Sequence, residues 1–215
     1  MSTPKRAYRG VSAEQRSEER RQRLLEAALA LFASQGYAKT PIETLCAAAG
    51  VTARHFYQHF PSREALLRAL YDDIVEDLRL AVLAAVSQPD IPRHEQISLA
   101  VQALVMHYLE DSRRARVGVL EVVGVSAAME QRRRAVIHEM AHIIEQYIQG
   151  LASRGELPEH NYHLVSVALV GGINELMAEW LTVAQSPTVT ELSNEIIYIF
   201  DALLRGAALA KFTGS

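Results

Sequence analysis

The chain has 215 residues, of which 49% are hydrophobic and 22% charged, a balance typical of a folded globular protein rather than a disordered one. No uninterrupted apolar run approaches the ~18 residues that span a bilayer. The first residues are polar and basic and lack the apolar stretch of an export signal, so we expect a cytoplasmic protein with no membrane partner. The single cysteine, Cys46, excludes a disulfide within the chain and is expected to be a small buried hydrophobic side chain.

The formal net charge of −3 is unevenly distributed along the chain. Residues 1–70 contain 11 Lys/Arg against 6 Asp/Glu, a charge of +5, whereas residues 71–215 contain 11 against 19, a charge of −8. Phosphate binding needs local positive charge rather than a basic whole protein. The asymmetry therefore favours a nucleic-acid-binding N-terminal part and a second part with another role.

The first predicted elements are a basic arm and four helices. Residues 1–15 lack apolar periodicity and are expected to be a flexible arm, either a solvated tail or an additional DNA contact. Apolar residues then recur at three- and four-residue spacing over 17–34, which predicts a helix. Thr40 is expected to cap the next helix, with Pro41 at its first position and Glu43 completing a capping box. Helices over 52–59, capped by Thr52, and from Ser62 to about residue 88 follow.

Five further helices are predicted at about 94–110, 112–125, 127–153, 160–185 and 189–211. No segment shows sustained period-two alternation, so the fold is predicted to be all-α with about nine helices. We expect a three-helix helix-turn-helix domain over residues 16–62, joined to a larger helical domain over 63–215.

The segment from Thr40 to Phe60 has the pattern helix, glycine-bearing turn, short helix, which can place a recognition helix in a major groove. Arg54 and His55 fall in the first turn of that helix, and Arg54 could donate two hydrogen bonds to a guanine. The next polar side chains, Tyr57, Gln58 and His59, can bond phosphates or bases. The two phenylalanines, Phe56 and Phe60, are expected to pack inward.

These residues closely resemble the DNA-binding domain of the TetR family of bacterial transcriptional repressors, over about residues 23–70. The matching segments are Ala27-Ala-Leu-Ala-Leu-Phe32, Gly36-Tyr37, Thr40, Ile42-Glu-Thr-Leu-Cys-Ala47, Ala49-Gly-Val-Thr52 and Tyr57-Gln-His-Phe-Pro-Ser-Arg-Glu-Ala-Leu66.

The resemblance implies that Thr40 and Tyr57 contact phosphates and that Arg63, where the family usually has lysine, holds a phosphate at the start of the fourth helix. Arg54 and His55 depart from the family's usual Gly-Thr pair, which leaves the operator sequence open. The predicted DNA-binding residues are Thr40, Thr52, Ala53, Arg54, His55, Tyr57, Gln58, His59 and Arg63.

The resemblance also implies that the remaining helices bind a ligand and form a homodimer through the last two helices. Two features are compatible with this: a Gly171-Gly172 pair in the middle of a helix, and an apolar stripe on the last helix. The stripe consists of Ile196, Ile199, Phe200, Leu203 and Ala207.

The implied ligand cavity lies among the middle helices, roughly residues 66–180. Large apolar side chains with few polar groups predict a hydrophobic or aromatic effector. The candidate ligand-binding residues are Met106, Tyr108, Leu120, Tyr147, Asn174, Met177 and Trp180.

The predicted function is a repressor that leaves a palindromic double-stranded DNA operator when a small hydrophobic ligand binds; an activator or a ligand-independent regulator of the same fold remains open. A helical zinc hydrolase is the alternative from another class, because His138-Glu139-x-x-His142 places two histidines on one helix face. The polar stripe around these histidines favours a solvated surface or an interface instead. We expect no cofactor and no bound metal. Arginine runs at 113–116 and 132–134 are expected to balance nearby acids, with a secondary contact to DNA or to an acidic ligand as the alternative.

Overall fold

The computed structural model describes residues 12–87, 91, 93–184 and 186–209. Within these ranges the chain is helical and contains no β-strand, which confirms the predicted all-α class. The chain divides into two compact units, Met1–Leu70 and Tyr71–Ser215, with the boundary inside a helix rather than at its start. The α-helices are α1 (Ala13–Gln35), α2 (Ile42–Ala49), α3 (Ala53–His59), α4 (Arg63–Val86), α5 (Arg93–Leu109), α6 (Ser112–Ala115), α7 (Ala127–Ala152), α8 (His163–Thr182) and α9 (Val189–Leu209).

The first helix begins earlier than its apolar periodicity indicates. Ser12 accepts a hydrogen bond from the Gln15 backbone N–H and caps a helix that starts at Ala13. Residues 12–15 are therefore not part of a flexible arm, and that part of the prediction is wrong. The polar first turns of α1 carry no periodic signal. The rest of the predicted arm, residues 1–11, lies outside the described residues.

The core of the first unit follows from the spacing of apolar residues. Leu24, Ala28 and Phe32 lie on one face of α1 and are fully buried. Leu45 of α2 is also fully buried, and its neighbour Cys46 is a buried free thiol, as expected. A helix of eight residues is not stable in isolation, so α2 depends on packing against the 23-residue α1.

The start of α2 differs from the prediction. The helix begins at Ile42, Pro41 occupies the capping position, and Thr40 makes no capping hydrogen bond. The hydroxyl of Thr40 instead donates to the Gly36 carbonyl at 2.7 Å and accepts from Gln35 at 3.2 Å. The Thr-x-x-Glu pattern thus occurs here without a capping box, because the threonine hydroxyl bonds to the preceding turn rather than to the first N–H groups of α2.

The second unit contains a capping box elsewhere. The Thr188 hydroxyl accepts from the Glu191 N–H at 3.2 Å, and the Glu191 carboxylate accepts from the Thr188 N–H at 2.7 Å at the start of α9. Ser126 caps α7 by accepting from the Met129 N–H. Arg132 of α7 bonds Asp72 of α4 at 2.6 Å and Glu139 at 2.8 Å. Arg133 pairs with Glu130 at 3.1 Å, so the first two arginines of the run at 132–134 balance nearby acids, as predicted.

The segment predicted as one helix over 112–125 has two parts. After the short α6, residues Arg116–Glu121 form a π-helical turn. Gly118 in this turn lies against Tyr108 of α5: a Cβ atom built on Gly118 would approach the ring Cε1 to 3.2 Å. Periodicity over so few residues cannot distinguish π from α geometry. π-Helical turns occur frequently at functional sites.

Much of α8 is exposed in the isolated chain. This helix, His163–Thr182, is long and apolar enough to cross a membrane by length and composition, a test that core helices of soluble proteins also pass. Its outward face carries Leu164, which is 77% exposed, and both Gly171 and Gly172.

On α9 the residues of the predicted apolar stripe do not all lie on one side: Ile196 and Phe200 are buried within the chain. Ile199 and Leu203 of the same stripe are exposed, and the side chain of Ala207 lies outside the described residues.

Candidate nucleic-acid interface and internal cavity

The turn between α2 and α3 is set by one glycine. Gly50 has φ 63° and ψ 40°, the left-handed conformation that glycine adopts without a steric penalty. Its N–H bonds the Ala47 carbonyl, and the Val51 N–H bonds the Cys46 carbonyl, which is the Schellman pattern at a helix end. The turn therefore ends α2 sharply and fixes the direction in which α3 starts.

α3 is held on one side by its aromatic residues. Phe56 is fully buried and Phe60 nearly so, as predicted, with their ring centroids 6.0 Å apart. The side chain of Thr52 accepts from the His55 N–H and caps the helix, which confirms that prediction. The Thr52 hydroxyl also lies 3.1 Å from His55 Nδ1, so these two predicted DNA-binding side chains contact each other.

The opposite side of α3 is open to solvent. Ala53, Arg54, Tyr57 and Gln58 are exposed, and Tyr57 is 57% exposed. At three- and four-residue spacing these side chains share one face of the helix. The face offers a guanidinium, a phenol and an amide, which together can donate to and accept from base edges and phosphates.

His59 does not belong to that face. It is half-buried, and its Nε2 atom is buried with no hydrogen-bond partner among the described residues. Burial lowers the pKa of His59, and the charge of Arg20 adds to the shift, so the ring stays neutral near pH 7. A seven-residue helix cannot present every polar side chain on one face, so His59 lies apart from the exposed face, and its bond to DNA stays a prediction.

Thr40 and Arg63 interact with each other rather than standing free. Thr40 is 0% exposed, so its side chain cannot reach a phosphate and that prediction is wrong. The Arg63 guanidinium donates to the Thr40 carbonyl at 2.8 Å and lies over the Tyr37 ring at 4.3 Å. Arg63 thus connects the start of α4 to the loop before α2 by a hydrogen bond, and only the other N–H groups of its guanidinium are available for a phosphate.

Two cations near this surface were not among the predicted site residues. Arg23 of α1 is exposed, and its Nη1 lies 3.5 Å from the position a Cβ atom would take on Gly50, beside the turn into α3. Lys39 is exposed in the loop before α2. The excess of basic residues in 1–70 was the available signal, but it does not indicate which cations lie near α3.

The second unit contains a cavity of about 310 Å³ that is partly open to solvent. It is bounded by α4, α5, the π-helical turn, α7, α8 and α9, and its wall is mainly aliphatic. The lining residues are Tyr71, Val75, Leu78, Arg79, Val82, Leu83, Val86, Gln96, Ile97, Ala100, Val101, Leu104, Tyr108, Gly118, Val119, Arg133, Val136, Ile137, Met140, Ile143, Ile144, Tyr147, Val170, Ile173, Asn174, Met177 and Phe200.

Four of the seven predicted ligand-binding residues line this cavity: Tyr108, Tyr147, Asn174 and Met177. The other three do not. Met106 is 46% exposed on the outer side of α5, and Leu120 lies outside the cavity wall. Trp180 instead donates its indole N–H to the Pro187 carbonyl at 2.7 Å. Side-chain type alone does not reveal which face of a helix points inward.

The zinc-hydrolase pattern on α7 does not form a catalytic site. The carboxylate of Glu139, the expected base, is bound by Arg132 at 2.8 Å. Among the described residues no group of three His, Cys, Asp or Glu side chains is arranged to hold a metal ion. The ring of His138 instead stacks on His163 with centroids 6.0 Å apart.

Two family models match successive parts of the chain. Residues 24–70 match the model described as bacterial regulatory proteins, tetR family, and residues 90–204 match the model described as tetracyclin repressor-like, C-terminal domain. The second match covers more than half of the chain. The first spans α2, the turn and α3, which together form the surface described above.

Similar proteins agree with these matches. The HTH-type transcriptional regulator AcrR of Shigella flexneri is 28% identical over 180 residues, 80% of this chain and 83% of that protein. TtgR of Pseudomonas putida is 23% identical over 79% of this chain and 84% of its own length. Among solved structures, a tetR-family regulatory protein from Rhodococcus RHA1 has a TM-score of 0.69 at 20% identity, covering 89% of this chain and 98% of that one. FadR from Bacillus subtilis, in complex with stearoyl-CoA, has a TM-score of 0.71 at 18% identity, covering 86% and 98%. The curated relatives are transcriptional regulators, not enzymes.

Proposed function

The chain belongs to the TetR family of bacterial regulatory proteins, and on this basis we propose that it is a cytoplasmic, homodimeric repressor that leaves its operator when a small ligand binds. The observation that carries the proposal is the exposed face of α3, with Arg54, Tyr57 and Gln58 presented on a helix anchored by two buried phenylalanines. An α-helix of this kind fits the major groove, where each base pair has a distinct pattern of donors and acceptors.

The residues of the surface divide into base-reading and phosphate-binding groups. Arg54 lies in the first turn of α3, where recognition helices meet base edges, and its guanidinium can donate twice to a guanine. Tyr57 and the exposed Thr52 and Ala53 lie where a phosphate or the groove edge would pass. Arg23 and Lys39 add positive charge that would attract phosphates without reading sequence.

A homodimer is supported by the outward face of α8. Gly171 and Gly172 have no atoms within 4 Å of a built Cβ, so nothing within the described chain requires their lack of a side chain. Mid-helix glycine costs about 1 kcal/mol relative to alanine, which a closely approaching partner helix would offset. Together with the exposed Leu164, Ile199 and Leu203, this face suits a second copy of the chain. Two α3 helices would then enter successive major grooves of an inverted repeat, roughly 34 Å apart.

Ligand control is supported by the partly open, mainly apolar cavity, whose volume lies at the lower end of the range for small-molecule sites. FadR from Bacillus subtilis was solved with stearoyl-CoA bound, so a protein of this fold can accept an acyl compound. A ligand that binds better to the DNA-incompetent state lowers DNA affinity by linkage.

The test is selection of bound sequences from random duplex DNA at one stated salt concentration, in parallel with the Arg54→Ala variant. An enriched inverted repeat for the natural chain, with relaxed preference at one base pair per half-site in the variant, is the expected result. Enrichment of no sequence by the natural chain would contradict the proposal of a sequence-specific regulator.

A further inference from the structure

The cavity has an asymmetric distribution of charge. Its lining contains two cations, Arg79 and Arg133, and no Asp or Glu among the described residues. Arg79 is bound by the exposed Glu76 at 2.6 Å. Arg133, the less exposed of the two cations, is bound by Glu130 at 3.1 Å. A cationic ligand would find no acidic side chain on the wall, whereas an anion would find positive charge.

Arg133 retains donor capacity. Its Nε and Nη2 atoms both lie 3.1 Å from one oxygen of Glu130, and Nη1 has no partner in the described part of the chain. The other oxygen of Glu130 accepts from the Gly124 N–H at 3.0 Å, which holds that carboxylate in place. A second acceptor could therefore bond Arg133 without displacing Glu130.

Two phenols line the same cavity as this guanidinium. Tyr71 and Tyr108 line the cavity, and neither hydroxyl has a hydrogen-bond partner among the described residues. Burial raises the pKa of Tyr71, while the charge of Arg133 acts in the opposite direction, so the two groups lie close enough to interact. Burial likewise raises the pKa of Tyr108 to about 12. Both phenols are protonated at pH 7 and can donate.

The ring of Tyr108 packs against the π-helical turn. A Cβ built on Gly118 would lie 3.2 Å from the Tyr108 ring Cε1 and 3.4 Å from its hydroxyl oxygen. Only glycine allows this approach without movement of the ring. Gly118 thus leaves room for one of the two phenols in the cavity wall.

We propose, on the premise of ligand control stated above, that the effector is a small amphipathic carboxylate. Its apolar body fills the aliphatic part of the cavity, and its carboxylate accepts from Arg133, Tyr71 and Tyr108. Hydrogen bonds to a charged acceptor are stronger than neutral ones, so this corner discriminates between molecules of the same length and different head group.

Three probes that share a ten-carbon chain test the head group: decanoate, decanol and decyltrimethylammonium. Calorimetric titration of the full chain at pH 7.5 should give affinities for decanoate about tenfold or more above the other two. Equal or tighter binding of decanol or of the cation would overturn the inference while leaving ligand control intact. Failure of all three to bind also contradicts it.

Variants test the residues. Arg133→Gln should weaken decanoate binding roughly 10- to 100-fold and leave decanol binding nearly unchanged. Arg134→Gln, at the exposed neighbouring position, is the matched control and should change neither. Tyr108→Phe keeps the ring and removes one donor, so it provides a second test if Arg133→Gln fails to fold by circular dichroism. A decanoate affinity unaffected by both variants would overturn the assignment of this corner.

Operator binding is measured on the same samples. The regulator proposal fails only if the ligand-free protein selects no DNA sequence. The inference about the effector fails on the head-group and variant results, so the two are judged separately.

Discussion

Arg54 and Arg63 carry the same charged group in different surroundings. Arg54 is exposed on α3, whereas Arg63 is half-buried, bonded to the Thr40 carbonyl and stacked on Tyr37. Arg54→Ala should lose about 1–3 kcal/mol of discrimination at one base pair, with little effect on folding. Binding titrations against an operator and its single-base variants measure this.

Arg63→Ala should differ from Arg54→Ala both in its effect on DNA binding and in its effect on folding. It should weaken binding to all sequences similarly and flatten the salt dependence, and it should also lower the free energy of unfolding by about 1–2 kcal/mol because a hydrogen bond to a charged donor is lost. Urea denaturation of both variants provides the comparison. An unchanged unfolding free energy for Arg63→Ala would show that the hydrogen bond from Arg63 to the Thr40 carbonyl does not stabilise the protein.

His107 predicts a pH dependence of stability. It is buried, its Nε2 has no hydrogen-bond partner among the described residues, and burial together with the charge of Arg114 lowers its pKa below 6.5. Below pH 6.5 the unfolded chain therefore binds a proton that the folded chain resists, so the unfolding free energy falls as the pH drops from that value towards the folded-state pKa.

Urea denaturation of the natural chain and of His107→Asn at pH 7.5, 6.5 and 5.5 tests this. The natural chain should lose more stability than the variant between pH 6.5 and 5.5. The lowered pKa of His59 acts in the same direction and remains in both proteins, so the comparison isolates His107. Parallel pH profiles would show that His107 does not contribute.

At the scale of the elements, the turn before α3 depends on a backbone conformation. Gly50→Ala places a side chain at φ 63°, which should destabilise the first unit by about 1–2 kcal/mol. Gly150→Ala is the control: Gly150 lies inside α7, where its Cβ would meet only the end of Arg154 at 3.4 Å. Gly150→Ala should raise the free energy of unfolding by up to about 1 kcal/mol. Denaturant midpoints of the two variants should therefore move in opposite directions.

The helices themselves could be predicted because their apolar spacing, caps and breakers agree. The turn at Gly50, the cap at Thr52 and the spacing of Phe56 and Phe60 together predicted α3, and all of these signals lie within eleven residues of sequence. The beginning of α1 was missed because its first turns are polar and only Ser12 marks them. The π-helical turn was missed because six residues do not distinguish a period of about four from one of about five.

Parts of the site could not be predicted because they depend on tertiary contacts. Nothing near Thr40 in the sequence shows that Arg63 bonds its carbonyl. The hydroxyl of Thr40 bonds the nearby Gly36 carbonyl, a local alternative to capping that the Thr-x-x-Glu pattern does not distinguish. Likewise, Met106 and Tyr108 are two positions apart on α5, yet one is exposed and the other lines the cavity. Which side of a helix is buried depends on neighbours that are distant in sequence.

At the scale of the whole molecule, the outward face of α8 predicts the oligomeric state. Replacing Gly171 and Gly172 by Gln should strengthen the helix itself but block close approach of a second copy. Light scattering during size exclusion should then detect a monomer with unchanged helicity and much weaker binding to an inverted repeat. Gly150→Ala serves as the control that should remain dimeric. A dimeric double variant would place the interface elsewhere.

The buried thiol on α2 provides a built-in chemical reporter. Cys46 is the single cysteine of the chain and is 6% exposed, and burial raises the pKa of its thiol, so alkylation in the folded state is slow. A reagent such as iodoacetamide can then react at an appreciable rate only when α2 opens away from α1. The labelling rate of the natural protein thus measures opening of the DNA-reading unit without any engineered label, and operator DNA that holds α2 and α3 in place should slow it.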